Sequence, residues 1–336
     1  MKEALFYITL PDKVVRCNLC AHRCIIPEGK KGICRVRENR GGILNTLVYG
    51  KLIAAHADPI EKKPLYHFYP GSSSYSIATP GCNFQCRWCQ NFEISQLPRM
   101  TNIFSPGITS ADDVVNDAIQ SRSQSISYTY TEPTIFFEYA NDIARLAQGK
   151  GLKNVFVSNG YMTHELLDFF HPYLDAINVD LKSMSEDVYH RSIGAKLQPV
   201  LDNLVHLKKQ GVWIEVTTLV IPGVNDKMEE IKGIASFILN ELGKDTPWHI
   251  SRFFPNYQMQ DTPPTDVLLL QSARETGLAQ GLENVYMGNV GEETNTFCPI
   301  CKKPVIRRQG YWIVENNVRN GKCRFCENPI AGVGLG

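Results

Sequence analysis

The sequence predicts an α/β fold, a parallel sheet joined by right-handed crossovers and built as an open doubly wound sheet or as a full or partial barrel, with a small cysteine-rich module at each end. Two observations predict it. From about residue 72, short β-rich runs alternate with amphipathic helical stretches, a pattern that calls for parallel strands with helical crossovers. The 11 cysteines fall into three groups without remainder, and two of the groups lie outside the alternating region. The expected boundaries are 1–70 for an N-terminal Cys-rich module with a hairpin, 71–291 for the barrel core and 292–336 for a C-terminal zinc-ribbon-like module.

In chain order, the first module holds four cysteines and then an expected hairpin, 43–48 turning at Tyr49-Gly50-Lys51 into 52–55. Seven β-rich runs follow, at 75–78, 125–129, 155–157, 176–181, 213–220, 248–253 and 285–287. Between them lie helical stripes, expected to face the core. One runs through Ile135, Phe136, Tyr139, Ile143 and Leu146, and a second through Leu201, Leu204, Val205 and Lys208. Asp226 followed by Glu229 reads as a capping box opening a third, with Ile231, Ile234, Ala235, Ile238 and Leu242 as its apolar face. The last module reads as two Cys-x-x-Cys knuckles separated by a small hairpin, 305–308 and 311–314, with a glycine-rich tail expected to be loose.

Composition narrows the function classes. With 43% hydrophobic residues and a net charge of +1, the chain is globular and carries no basic stripe for a duplex, so nucleic acid is not an expected partner. No apolar run is long enough to span a bilayer, and the opening residues lack a small-residue cleavage site, so a cytoplasmic location and no membrane association are expected. In a reducing compartment clustered Cys-x-x-Cys pairs hold metal more often than they form disulfides.

The central group, Cys82, Cys86 and Cys89, is short by one. Thiolates are the usual ligands of an iron–sulfur cluster, and three of them leave one iron of a cubane open; a zinc site borrowing a histidine is the plainer alternative. The outer groups are complete. Cys298, Cys301, Cys323 and Cys326 have rubredoxin-like knuckle spacing and favour structural zinc over iron. Cys17, Cys20, Cys24 and Cys34 are less regular, which leaves zinc and an auxiliary iron–sulfur cluster evenly matched, with His22 or His67 able to replace one ligand.

Other polar residues fall at the ends of successive runs. The cysteine loop follows the first run, Tyr130-Thr131-Glu132 the second and Ser158-Asn159-Gly160 the third; Asp180 and Lys182 close the fourth, Thr217 and Thr218 lie in the fifth, and His249 and Arg252 on the sixth. Active sites of α/β sheets form at the C-terminal strand edge, so one rim should collect them. Singly each has an ordinary reading: a loop carboxylate, a plain turn, an exposed ion pair, a hydrogen-bonded core histidine.

Cys82-x3-Cys86-x2-Cys89 after the first run, with Trp88 before the last cysteine, resembles the signature of radical S-adenosylmethionine (SAM) enzymes. The stretches 155–160 and 178–182 are similar to the branch containing pyruvate formate-lyase activating enzymes. The segment 61–71 and the outer cysteine modules resemble, more closely, the radical SAM member of the AmmeMemoRadiSam system. The resemblance implies a partial (β/α) barrel of six parallel strands and a [4Fe–4S] cluster on Cys82, Cys86 and Cys89 whose open iron takes SAM. It also implies that Glu132 contacts the methionyl amino group, that Ser158 and Asn159 reach the ribose and carboxylate, and that Asp180 and Lys182, matching the family's Asp-Leu-Lys motif, contribute a SAM contact chiefly through Lys182. The family often has Gly-Gly-Glu where this chain has Tyr130-Thr131-Glu132, and an acidic residue where it has Val157; the histidine that activating enzymes place near Pro255-Asn256-Tyr257 is missing, leaving His249, Arg252 and Asn256 as candidate rim residues.

The function so implied is reductive cleavage of SAM to a 5′-deoxyadenosyl radical that abstracts hydrogen from an unidentified small molecule or peptide, with a reductase such as flavodoxin or ferredoxin and with Memo-like and AMME-like proteins as partners. The alternatives are an activating enzyme that makes a glycyl radical on a partner protein and, in a different class, a zinc-stabilised interaction or nucleic-acid-binding module.

Overall fold

The computed structural model describes residues 1–101, 107–291 and 294–336. Its centre is an eight-stranded sheet in sequential order: β1 (Ala54–Pro59), β2 (Ser73–Ala78), β3 (Ser125–Tyr128), β4 (Lys153–Ser158), β5 (Ala176–Asp180), β6 (Trp213–Val220), β7 (Trp248–Arg252) and β8 (Val285–Gly288). β1 pairs antiparallel with β2, and every other pair is parallel, so seven strands point one way. That is one more than the expected six, because the run at 285–287 adds to the sheet beyond β7. Strands in unbroken order with helical returns give an incomplete barrel whose C-terminal ends share one rim.

Helices close the outside: α1 (Ala111–Gln120), α2 (Phe137–Gly149), α3 (His164–Phe170), α4 (Gln198–Lys209), α5 (Met228–Phe237) and α6 (Val267–Gln280). Each buries one face. α1 starts at a capping box, with Ser110 accepting from the Asp113 amide and the Asp113 carboxylate accepting from the Ser110 amide. In α2 Tyr139, Ile143, Ala144 and Ala147 are buried, while the expected stripe member Leu146 is exposed; the two alanines let the helix lie close to β4. Val200, Leu204 and Leu207 face inward on α4, with Leu201 and Val205 at its margin. The stripe Ile231, Ile234, Ala235, Ile238, Leu242 is wholly buried. The expected capping box before it is absent: the N-cap is Lys227, and the Asp226 carboxylate instead accepts from the Gly223 amide in the preceding turn.

The expected hairpin at 43–55 does not form. Strand Ile43–Thr46 pairs backwards with Arg37–Arg40 across Gly41-Gly42, and with Lys2–Glu3 on its other edge. Both glycines have positive φ, +65° and +89°, which suits a two-residue hairpin turn and outcompetes Tyr49-Gly50. The freed segment Ala54–Pro59 becomes β1, so residues assigned to the first module complete the central sheet. The expected boundary at 292 falls on residues outside those described.

In the last module, Pro304–Gln309 and Trp312–Asn316 form the expected hairpin. The tail is not loose. Ile330 and Leu335 are buried, the Tyr69 amide donates to the Val333 carbonyl, and the His67 carbonyl accepts from the Val333 amide. At Gly334, φ is +64° and a Cβ would stand 2.4 Å from the Tyr69 ring. Gly334→Ala is therefore expected to cost about 1–3 kcal/mol, read as a lower urea midpoint at unchanged slope; an unchanged midpoint would show that the tail does not dock.

The segment between β1 and β2 plugs the lower end of the barrel. Glu215, at the centre of a buried network, accepts from the Tyr66 and His67 amides at 3.0 and 2.8 Å and pairs with His249 at 2.6 Å. His67 bonds the Ala331 carbonyl and the Tyr286 hydroxyl, and Arg308 donates to the Tyr66 carbonyl. These contacts hold the C-terminal module against the plug.

Candidate functional site

The cysteine loop leaves β2 through Gly81, whose φ of +112° and contact with Val36, where a Cβ would lie 2.9 Å from Cγ1, leave room for no side chain. Backbone bonds then fix it: the Gln85 amide to the Ile193 carbonyl at 2.9 Å and the Arg87 amide to Ser192 at 3.1 Å. Cys82, Cys86 and Cys89 come together on a cleft of about 330 Å³ at the C-terminal rim of the sheet. Cys82 Sγ accepts from the Phe84 amide, and Cys89 Sγ lies 3.2 Å from Ser95 Oγ. Burial pushes the Cys82 and Cys86 thiols up, Cys86 to about 12, so as thiolates they call for a bound cation.

The same cleft is lined by Glu132, Val157, Ser158, Asn159, Asp180, Lys182 and Thr217, gathered from β3, β4, β5 and β6. Glu132 is 1% exposed. Its Oε1 accepts from the Thr134 amide, Thr134 Oγ1 and Ser158 Oγ, and its Oε2 from the Asn159 amide at 2.8 Å. Burial raises this carboxyl's pKa, and the four donors oppose the rise. Asn159 Nδ2 donates to Asn83 Oδ1 at 2.8 Å and lies 3.9 Å from Cys82 Sγ, which ties the end of β4 to the cysteine loop. Lys182 Nζ pairs with Asp180 at 3.0 Å; burial alone works against its charge, yet Asp180 and Cys86 hold it protonated above the usual lysine range. The buried Thr217 hydroxyl has no hydrogen-bond partner.

Tyr130 lies in the left-handed region at φ +61°, a conformation that glycine takes without cost. Its ring hydroxyl anchors it, bonding to Asp58 with the buried Lys63 ammonium 3.3 Å away, while Lys63 also binds Asp58 at 2.7 Å. Asn91 Nδ2 donates to its carbonyl at 2.8 Å. The anchored side chain lets a tyrosine stand two residues before Glu132.

None of the three further candidate rim residues lines the cleft itself. His249 is buried in the plug network with Glu215, as its position early in β7 dictates, and so takes the plainer role of a core histidine. Arg252 donates to the Thr265 carbonyl, and Asn256 to Gln90 beside the cleft. His67 is likewise in the plug and cannot serve the N-terminal cysteines, whereas His22 borders them and bonds the Asn83 carbonyl at 2.9 Å. The sequence reading missed Asn83, Asn91, Ser95 and Arg99; position inside or just after the cysteine motif was the available signal.

Of the outer groups, Cys298, Cys301, Cys323 and Cys326 have sulfurs all within 4.8 Å of one another. The Cys298–Cys326 and Cys301–Cys323 separations are 3.6 and 3.7 Å. A tetrahedral ion with metal–sulfur bonds of about 2.3 Å sets sulfurs roughly 3.8 Å apart, so this set fits one ion. Cys17, Cys20, Cys24 and Cys34 surround a small apolar cavity against the back of the cysteine loop.

No helix among the described residues is long and apolar enough to cross a membrane. The family model described as the Radical SAM superfamily matches residues 76–237. An uncharacterized protein of Methanocaldococcus jannaschii is 41% identical over 98% of this chain and 99% of its own length. A putative glycyl-radical enzyme activating enzyme of the same organism is 25% identical over 65% of this chain and 80% of its own. Among solved structures, Streptococcus suis SuiB bound to S-adenosylmethionine superposes with a TM-score of 0.51 at 13% identity, covering 68% of this chain and 53% of that one, a likeness of fold.

Proposed function

The chain belongs to the radical SAM superfamily, and on that premise we propose that Cys82, Cys86 and Cys89 ligate a [4Fe–4S] cluster completed by SAM at its fourth iron. One observation carries the reading: three thiols without a fourth share a cleft with a buried carboxylate acceptor and a fixed cation. When bound, cluster and SAM supply reductive cleavage of the sulfonium carbon–sulfur bond and a 5′-deoxyadenosyl radical that takes hydrogen from the substrate.

The chain's own residues bind and orient. Glu132, preset by Thr134, Ser158 and the Asn159 amide, would offer the free side of Oε2, which has one donor where Oε1 has three, to the methionyl ammonium. Lys182, kept charged by Asp180, would meet the carboxylate end of SAM, and Ser158 and Asn159 its ribose, with Val157 giving an apolar contact in place of an acidic one. Trp88, Val157 and Leu219 supply apolar wall that keeps water from the reacting carbon. Glu132→Gln is expected to weaken SAM binding to the reconstituted protein about tenfold to a hundredfold by equilibrium dialysis, since it removes a charge-assisted hydrogen bond and turns an amide toward three donors. Unchanged affinity would remove Glu132 from the site. The direct test of the whole reading is the EPR spectrum of the reduced cluster, which should change on adding SAM; an indifferent spectrum would mean that SAM does not ligate it.

The substrate is a small molecule or peptide that enters the rim, modified together with Memo-like and AMME-like proteins, with flavodoxin or ferredoxin as the electron source. A second reading, glycyl-radical formation on a partner enzyme, is favoured by the similarity to the putative glycyl-radical enzyme activating enzyme of Methanocaldococcus jannaschii over 65% of this chain. A glycyl-radical EPR signal on an added partner protein would select it. The C-terminal cysteines hold structural zinc in this account. Cys301→Ser should lower bound zinc by about one ion per chain in elemental analysis, and an unchanged zinc content would place the ion elsewhere.

A further inference from the structure

Four cysteines, Cys17, Cys20, Cys24 and Cys34, surround one cavity whose remaining wall is mainly apolar, with Leu19, Ile26 and Ile135 among its members. Two buried nitrogens on that wall have no hydrogen-bond partner: Arg37 Nε and Asn83 Nδ2, on side chains 2% and 1% exposed. The other polar atoms of each side chain have partners. Arg37 pairs with Glu138 at 2.8 and 3.0 Å and donates to the Leu5 carbonyl, and Asn83 Oδ1 accepts from Asn159. A buried donor left unmade is costly, so two on one cavity point to an anionic occupant that accepts from both.

A single ion is a poor match. Among the described residues, the group whose metal-ligating atoms all fall within 4.8 Å is the C-terminal one, not this one. A polynuclear cluster puts each thiolate on its own iron and so spreads the sulfurs, and its bridging sulfides accept hydrogen bonds.

The cavity also abuts the catalytic loop. Asn83 follows Cys82 directly and lines the N-terminal cavity, and His22, on the same wall, bonds the Asn83 carbonyl. Arg99 joins the two sites, donating through Nη2 to the carbonyl of Cys82 at 3.1 Å and to that of Ile33, the residue before Cys34, at 2.8 Å. Cys17 and Cys34 are buried, while Cys20 and Cys24 are partly exposed, so the far side of the cavity approaches solvent.

We propose that Cys17, Cys20, Cys24 and Cys34 hold a second iron–sulfur cluster, which relays electrons from outside to the cluster on Cys82, Cys86 and Cys89. A one-electron donor, dithionite in vitro or a low-potential redox protein, is oxidised by one electron as the N-terminal cluster is reduced; that cluster returns to its oxidised state when it reduces its neighbour. The relay rests on the function proposed above, whereas the second metal site does not. Arg99, near both thiolate sets, raises both reduction potentials by stabilising the added negative charge.

The test reconstitutes the full chain anaerobically with iron and sulfide and measures iron, acid-labile sulfide and zinc alongside EPR of the dithionite-reduced protein. The triple variant C82A/C86A/C89A should lose about four irons and keep the remaining iron, its labile sulfide and a reduced-cluster signal. C20A/C24A, at the partly exposed positions, should lose that remainder and keep about four irons. Arg99→Leu should lower the potentials of both clusters. A triple variant that holds no labile sulfide, with or without zinc beyond the one ion of the C-terminal module, would overturn the proposal whether or not C20A/C24A folds, because labile sulfide separates a cluster from a mononuclear metal site. A triple variant with the full wild-type iron would instead overturn the reading of the cleft and leave the N-terminal site to the second variant.

Discussion

Cys86→Ala is expected to abolish reductive cleavage of SAM, a fall on the order of a thousandfold or more, the scale seen when a group the reaction cannot do without is removed. Cys86 is 8% exposed and packs in the main core, so alanine leaves only a small hole there. What is lost is a ligand. Two thiolates would leave two irons open and allow the cluster to dissociate, so the absorbance of the reconstituted protein near the visible edge should fall with its iron content. The metal content of the C-terminal module should not change, since Cys298, Cys301 and Cys323 pack in a separate core and all four of its sulfurs form one set. Full 5′-deoxyadenosine formation by the variant would place the cluster elsewhere.

The second large effect is on stability. Glu138→Ala is expected to destabilise the fold by about 3–5 kcal/mol, because it strips the partner from a guanidinium that cannot reach water. Glu138 and Arg37 are 1% and 2% exposed in side-chain terms and bond through both carboxylate oxygens, and the Leu5 amide donates to the same carboxylate at 2.7 Å. This pair joins the N-terminal module to α2, so its loss should unpin that module from the barrel. Urea unfolding of the cluster-free protein measures it. Replacing both partners, Arg37→Met with Glu138→Leu, should recover much of the loss, since apolar packing removes the unpaired charge. A single-variant loss below about 1 kcal/mol would mean the module unfolds independently of the barrel.

The seven parallel strands were legible because each is a short β-rich run bounded by polar turns, and the rim residues because they follow those runs. Cysteine counting was informative for the same reason: ligand sets leave a spacing that packing does not erase. Other features were hidden. β1, with the sequence Ala-Ala-His-Ala-Asp-Pro, has no β-branched residue, and it is a strand because the edge of β2 offers it hydrogen bonds. Gly41-Gly42 outweighed Tyr49-Gly50 as a turn only once both strands it joins were in view. His249 reads as a rim residue by strand, yet it is the second residue of β7 and its ring bonds Glu215 in the plug instead of facing the cleft. The tail reads as loose from its glycines, yet those glycines are what allow it to lie on Tyr69 and His67. Arg99 and Asn83 carry no motif of their own, and their importance comes from the carbonyls and the cavity that the fold brings to them.

The most direct measurement is an anaerobic assay of the reconstituted wild-type chain with SAM and dithionite, following 5′-deoxyadenosine and methionine. Both products are expected in equal amounts, and both should disappear in Cys82→Ala, Cys86→Ala and Cys89→Ala. A chain that binds zinc at these cysteines and releases no 5′-deoxyadenosine would contradict the proposed function.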